Sequence, residues 1–208
     1  MTGDAAPQRR AAWLRHVTRW HWISSAICLI GMLGFAATGI TLNHAAQIGA
    51  DPRITHRTAE LPGPLRASLA EAAPTDRAPL PPALREWLRG ALDIRVGGRR
   101  ADWYDDEIYL DLPRPGGDAW LALDLADGVV EYERTDRGWV SYLNDLHKGR
   151  NTGAVWGWFL DAFAVACLVF CITGLLLLQA HGSRRAATWP LVGLGLIVPM
   201  VLAILFIH

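Results

Sequence analysis

Three stretches of the chain are apolar on every side, and the segment between the first two alternates between helical and strand periodicity. From Trp20 to Ala50 there is no Asp, Glu, Lys or Arg; from Asn151 to Ser183 there is only Asp161; from Ala186 to His208 there is none. A helix crosses a bilayer core in about 20 apolar residues. The pattern therefore predicts transmembrane helices over residues 20–44, 152–181 and 188–208. Between them, ALREWLRGAL places Leu84, Trp87, Leu88 and Leu92 on one helical face. Strands are predicted over Trp103 to Leu112, Ala119 to Asp124 and Val129 to Arg134, divided by the turn sequences PRPGG and ADG. Residues 82–146 thus read as a helix packed on a small antiparallel meander. Residues 52 to 82 hold seven of the 12 prolines and little apolar periodicity, so residues 45–81 read as a linker with one short helix around Leu65 to Ala72. The expected fold class is an α-helical membrane protein of three spans with a small α+β insert between the first two.

Charge fixes the expected orientation. The 208 residues carry 20 basic and 20 acidic side chains, and residues 51–150 hold 14 basic against 18 acidic, so nothing points to a nucleic-acid partner. Arg9, Arg10, Arg15 and Arg19 precede the first span against Asp4 alone, and Arg184 and Arg185 lie between the last two. Short basic flanks stay cytoplasmic while a long loop crosses largely regardless of charge. Residues 1–19 and the 182–187 loop are expected inside, and the insert and the C-terminus outside. A secretory signal has an apolar region of about 7 to 15 residues; the first apolar stretch is roughly twice that, so an uncleaved span is expected. Cys28, Cys167 and Cys171 all fall within spans, leaving the insert without a disulfide framework. Gly31, Gly34 and Thr38 form a stripe of small residues that admits a neighbouring backbone or a flat ligand. Pro199 interrupts the third span and is expected to kink it.

The histidines are the candidate chemistry. Of seven, only His56 lies well away from a predicted membrane boundary. His21 opens the first span and His44 closes it; His147 precedes the second and His181 ends it. Two opposed pairs result, His21 with His181 inside and His44 with His147 outside, with His16 and His208 as alternates. Imidazoles on facing helices are the ligand set of a bis-histidine haem. Arg15, Arg19 and Arg184 inside, and Lys148 and Arg150 outside, are placed to meet its propionates. A histidine at a boundary is also an ordinary interfacial residue, and on an ideal helix His21 and His44 stand about 140° apart in azimuth. Asp161 reads equally as a helix-packing hydrogen-bond partner or as an acceptor or proton site beside an outer ligand histidine.

The segments RHVTRWHWIS, FAATGITLNH, YLNDLHKGRNTGAVWGWFLDAFA and VFCITGLLLLQAH together resemble the PepSY-associated transmembrane helix proteins of bacterial inner membranes. The matching pieces are Trp20-His21-Trp22, Thr38-Gly39, Leu146-His147 and Thr173-Gly174, over about residues 13 to 181. Better-known members include ferric-siderophore reductases that carry b-type haem. The resemblance implies a PepSY-like periplasmic insert, one or two haems b, and His21, His44, His147 and His181 as axial ligands. It implies electrons passing from the cytoplasmic side or the quinol pool to a periplasmic ferric chelate or periplasmic protein, a possible ferric-chelate reductase activity. The chain departs from those reductases in having three expected spans instead of four and a smaller insert. No GxGxxG segment follows a strand, so the donor is expected to be a separate molecule. Trp103, Trp139 and Tyr142 are candidates for a docking surface or for the core of the meander. Two other readings are a haem-free anchor whose insert binds a periplasmic partner, and a transport-complex subunit using Asp161.

Overall fold

The computed structural model describes residues 5–49, 51–71, 77–181 and 186–207. Helix α1 spans Ala5–Asn43, followed by β1 (Arg53–Glu60), α2 (Gly63–Glu71), β2 (Ala78–Pro79), α3 (Pro82–Leu92), β3 (Arg100–Trp103), β4 (Glu107–Asp111), β5 (Gly117–Asp124) and β6 (Val129–Asp136). Helices α4 (Gly138–Lys148), α5 (Ala154–His181) and α6 (Thr188–Phe206) complete the chain. It divides into two compact units, one of residues 35–157 and the other of residues 1–34 with 158–208.

In the 35–157 unit, six antiparallel strands form one sheet in the order β1-β6-β5-β4-β3-β2. Its core lies on the face covered by α2 and α3. Leu84, Leu88 and Leu92 of α3 meet Leu69 of α2 and Ile108, Leu110, Leu121, Leu123 and Val130 of the sheet, all buried. Alternation in β5 is complete, with Gly117, Ala119, Leu121 and Leu123 inward and the residues between them outward. Helix α3 starts with Pro82 in its first turn, where the missing N–H costs nothing, and stops at Asp93, left-handed at φ 53°.

Three expectations need correction here. The proline-rich linker is not a linker. Residues 53–60 pair with β6 along their whole length, from Arg53 opposite Asp136 to Glu60 opposite Val129, and Leu61, Leu69 and Leu80 enter the core. The predicted strand from Trp103 to Leu112 is two strands, because the chain reverses at Tyr104 to Asp106 and β3 pairs back on β4. Residues 138–148, left without an element by the periodicity, form α4. It is pinned by Asp145, whose Oδ2 accepts the N–H of Gly116 at 2.9 Å. The turns fall where expected. Asp124 accepts the N–H groups of Ala126 and Asp127 through Oδ1 at 2.7 and 2.8 Å, and Gly128 takes the positive φ of 75°. Gly117 admits no side chain, since an added Cβ would lie 2.0 Å from the carbonyl oxygen of Thr135.

Among the described residues three helices are long and apolar enough to cross a membrane, Pro7–Asn43, Ala154–His181 and Thr188–Phe206, each with an 18-residue stretch whose mean hydropathy is 1.9, 2.4 and 2.3 in turn. In the other unit α1 and α5 approach closely. The Phe163 ring lies against Gly31, where a Cβ would come within 2.3 Å of it. The small-residue stripe thus takes a neighbouring side chain at this position. Cys28 is buried and all three cysteines are free. Helix α6 continues through Pro199 and buries none of its residues.

Candidate functional site

A five-residue pattern, Phe-x-x-Thr-Gly, occurs as Phe35 to Gly39 in α1 and as Phe170 to Gly174 in α5. Each copy seats a histidine from another helix. In the 1–34/158–208 unit, the His21 ring stacks on Phe170 with centroids 4.8 Å apart and 14° between planes. Its Nδ1 lies 3.2 Å from the Phe170 carbonyl oxygen and 3.1 Å from Thr173 Oγ1. Gly174 leaves room for the ring edge, for a Cβ there would stand 3.3 Å from Cε1. In the 35–157 unit, the His147 ring tilts 56° against Phe35 at 4.9 Å, and its Nδ1 meets Thr38 Oγ1 at 2.6 Å. Gly39 has the corresponding place, 3.7 Å from Cε1.

Helix geometry builds both seats. Residues three and four apart lie on one face, so Phe, Thr and the following Gly present a ring, a hydroxyl and a gap to the same neighbour. The threonine hydroxyls discharge their protons into their own helices: Thr173 donates to Val169 O at 2.6 Å, and Thr38 donates to Phe35 O at 3.1 Å. Their oxygens are then acceptors, and this network assigns the proton of each imidazole to Nδ1. A second rung, Thr41 donating to Asn144 Oδ1 at 2.7 Å, ties α4 to the end of α1, and Trp156 Nε1 donates to Leu146 O at 2.9 Å.

The other two predicted ligands are exposed and bonded locally. His44 Nδ1 donates to Ile40 O and His181 Nδ1 to Leu177 O, both at 3.0 Å. All four candidate histidines therefore give Nδ1–H to an oxygen and keep the Nε2 lone pair. None of these Nε2 atoms has a hydrogen-bond partner among the described residues, and none is buried.

The predicted pairs are not in contact. His21 is level with Thr173, and His181 lies eight residues further along α5, about 12 Å of helix. His147 is level with Thr38, and His44 lies six residues on, about 9 Å. What does converge is His181 with Arg15, Arg19 and Trp22, around a cleft of about 500 Å³. Lys148, Arg150 and His16 are exposed. Asp161 is exposed in α5 with no hydrogen bond or ion pair to any described residue. Arg184 and His208 lie outside the described residues. Among the described residues no group of three or more His, Cys, Asp or Glu is arranged to hold a bare metal ion. Trp103 belongs to the core, its Nε1 donating to Ala78 O at 3.2 Å, whereas Trp139 and Tyr142 are exposed.

Against known proteins, a family model described as PepSY_TM-like matches residues 12–208. The chain belongs to the PepSY_TM-like family. No curated protein and no solved structure matches it. With three helices of spanning length, this PepSY_TM-like protein is a multi-pass membrane protein. Phe35 and Phe170 were missed by sequence reasoning, although the repeat of Phe-x-x-Thr-Gly in two apolar segments is itself the signal.

Proposed function

We propose that this PepSY_TM-like protein is a b-type haem protein of the bacterial inner membrane. In this reading it carries electrons from the cytoplasmic side or the quinol pool towards the periplasm, in the reduction of iron or ferric siderophores. The observation that carries the reading is the common state of the four histidines. A ligating imidazole gives its other N–H to a carbonyl or hydroxyl oxygen, which sets the tautomer and the ring plane. His21 and His147 have that arrangement in built seats, and His44 and His181 have it on their own helices. Haem iron, when bound, supplies a one-electron couple tuned by its axial ligands.

The chain's own residues divide the remaining work. Phe170 and Phe35 fix the ring planes, and Thr173 and Thr38 hold the protons on Nδ1. Arg15 and Arg19, beside His181, provide cations for propionate carboxylates. The α1–α5 seam is filled by Phe163 on Gly31 and by His21 on Gly174, so the histidines would offer an iron their Nε2 atoms. With the N-terminus cytoplasmic, the insert and the C-terminus are periplasmic.

Absorption of the protein purified from haem-replete cells tests this directly. A Soret band that shifts on reduction is expected. His21→Ala and His147→Ala should each remove a share of it, with His181→Ala matching the first and His44→Ala the second. Protein that purifies folded and without haem absorption ends the reading. A haem-free anchor presenting a periplasmic binding domain then takes its place, favoured by the acidic sheet face opposite α2 and α3.

A further inference from the structure

One face of the sheet is covered by α2 and α3, and the opposite face carries none of the buried core residues. Register places its side chains in rows. Asp111 stands opposite Trp120, Trp120 opposite Glu133, and Glu133 opposite His56. In the next row Tyr109 is opposite Ala122, and Ala122 opposite Glu131. Glu107 and Asp124 face each other beyond them. With strands about 4.8 Å apart and same-face residues about 6.8 Å apart, five carboxylates share a patch of about 10 by 14 Å. At its centre the Tyr109 and Trp120 rings stack, 6.3 Å between centroids and 21° between planes.

The neighbouring cations offset this patch only in part. Arg77 is held by Asp102 and also lies within electrostatic range of Asp111, and Arg137 is held by Asp118. Arg100, on β3, makes no ion pair among the described residues. His56 reaches Glu133 at 3.4 Å and is charged only when protonated. Like charges directly opposite on adjacent strands destabilise a sheet, and Glu107 against Asp124 is such a pair. Burial and the adjacent Asp111 push the Tyr109 hydroxyl pKa up, which keeps that ring a neutral donor. A face that concentrates one sign of charge around stacked aromatics has the composition of an interface centre ringed by steering charges.

We propose that this face docks a cationic protein segment, whose arginine or lysine side chains lie over the Tyr109–Trp120 pair within the carboxylates. Cation–π contact with Trp120 and charge-assisted bonds to Asp111, Glu131 and Glu133 supply the recognition. The inference goes beyond haem binding and stands whether or not the spans carry haem.

The test uses the full chain in nanodiscs of phosphatidylcholine, whose headgroup has no net charge, with a labelled nona-arginine peptide as probe. Saturable binding is expected that weakens as salt rises from 50 to about 300 mM. Trp120→Ala should weaken it about tenfold, and Asp111→Asn with Glu131→Gln by several-fold. Glu86→Gln with Asp93→Asn, an equal charge change away from this face, should leave it unchanged. Equal losses in that control pair, no saturable binding, or complete displacement by millimolar calcium at matched ionic strength would each overturn the proposal, the last by making the face a cation site.

Discussion

Leu88 and Leu202 are the same side chain under opposite conditions. In α3, Leu88 is 0% exposed; in α6, Leu202 is 51% exposed. The difference begins in the local sequence. Around Leu88, Arg85, Glu86 and Arg89 mark a polar side, so the helix has one apolar stripe, and the sheet covers it. Around Leu202 every residue from Trp189 to Ile207 is uncharged and nearly all are apolar, so no stripe exists to be covered. A helix apolar all round leaves its burial to lipid or to a neighbouring helix. The insert is thus held by its own core, and α6 by its surroundings.

The largest effect that could break this contrast is a cavity. Leu88→Ala should cost the insert about 2 to 5 kcal/mol, because a fully buried leucine loses its transfer energy and leaves a void. Leu202→Ala in lipid nanodiscs should change thermal stability by less than about 0.5 kcal/mol, the range of an exposed substitution. Hydrogen exchange of the sheet amides against melting of the whole chain separates the two. Equal losses at both positions would mean that α6 is packed in the assembled protein and that the contrast is wrong.

The same contrast explains what was legible in the sequence. The three spans stood out because charge is absent for longer than a bilayer needs. Helix α3 and strands β5 and β6 were found because their apolar residues repeat at the period of the element that buries them. Strand β1 was not, since RITHRTAE has only Ile54 and Ala59 as apolar residues, and Ile54 lies on the open face. An edge strand held by backbone pairing leaves no hydrophobic signature. The β3–β4 reversal was hidden in a run of acids, Asp105 to Glu107, that contains no Gly or Pro. For the histidines, position along the chain was legible, whereas the side chains that seat them were not: His21 rests on Phe170 and Thr173, and His147 on Phe35 and Thr38.

The two seats sharpen the comparison at a smaller scale. Thr38 is the one hydrogen-bond partner described for the His147 ring, whereas the His21 ring is shared between Thr173 and the Phe170 carbonyl. Replacing either threonine by valine keeps the shape and removes the acceptor. Thr38→Val should cost about 1 to 1.5 kcal/mol, since His147 Nδ1–H is left without an acceptor in the seat. Thr173→Val should cost about 0.5 kcal/mol, in the range of interhelical bonds within membranes. Melting temperatures in one detergent rank the two. A larger loss for Thr173→Val would show that the carbonyl does not hold His21 by itself.

The smallest expected effect is acid sensitivity, and it belongs to the insert. Arg77 bonds Asp102 through Nε and through Nη2, the latter at 2.8 Å, and this pairing holds the carboxyl pKa below its ordinary value. Asp136 is held low chiefly by the N–H of Gly138 at 3.0 Å, with Arg134 adding to it. A carboxylate whose folded pKa is depressed contributes stability that is present above its unfolded value, about 4, and lost as pH falls through the folded one. Stability of the insert should therefore be level between about pH 5 and 7 in these two contributions and decline below about pH 4. The two should part in salt. Arg77 is largely exposed, so about 1 M salt should screen most of its contribution, while the fixed backbone donor at Gly138 is shorter in range and should persist. In low salt Asp102→Asn should flatten part of the acid slope, and Asp136→Asn should flatten part of it in low and high salt alike. If Asp102→Asn leaves the low-salt slope unchanged, the Arg77 fork is a surface contact with no part in holding the domain.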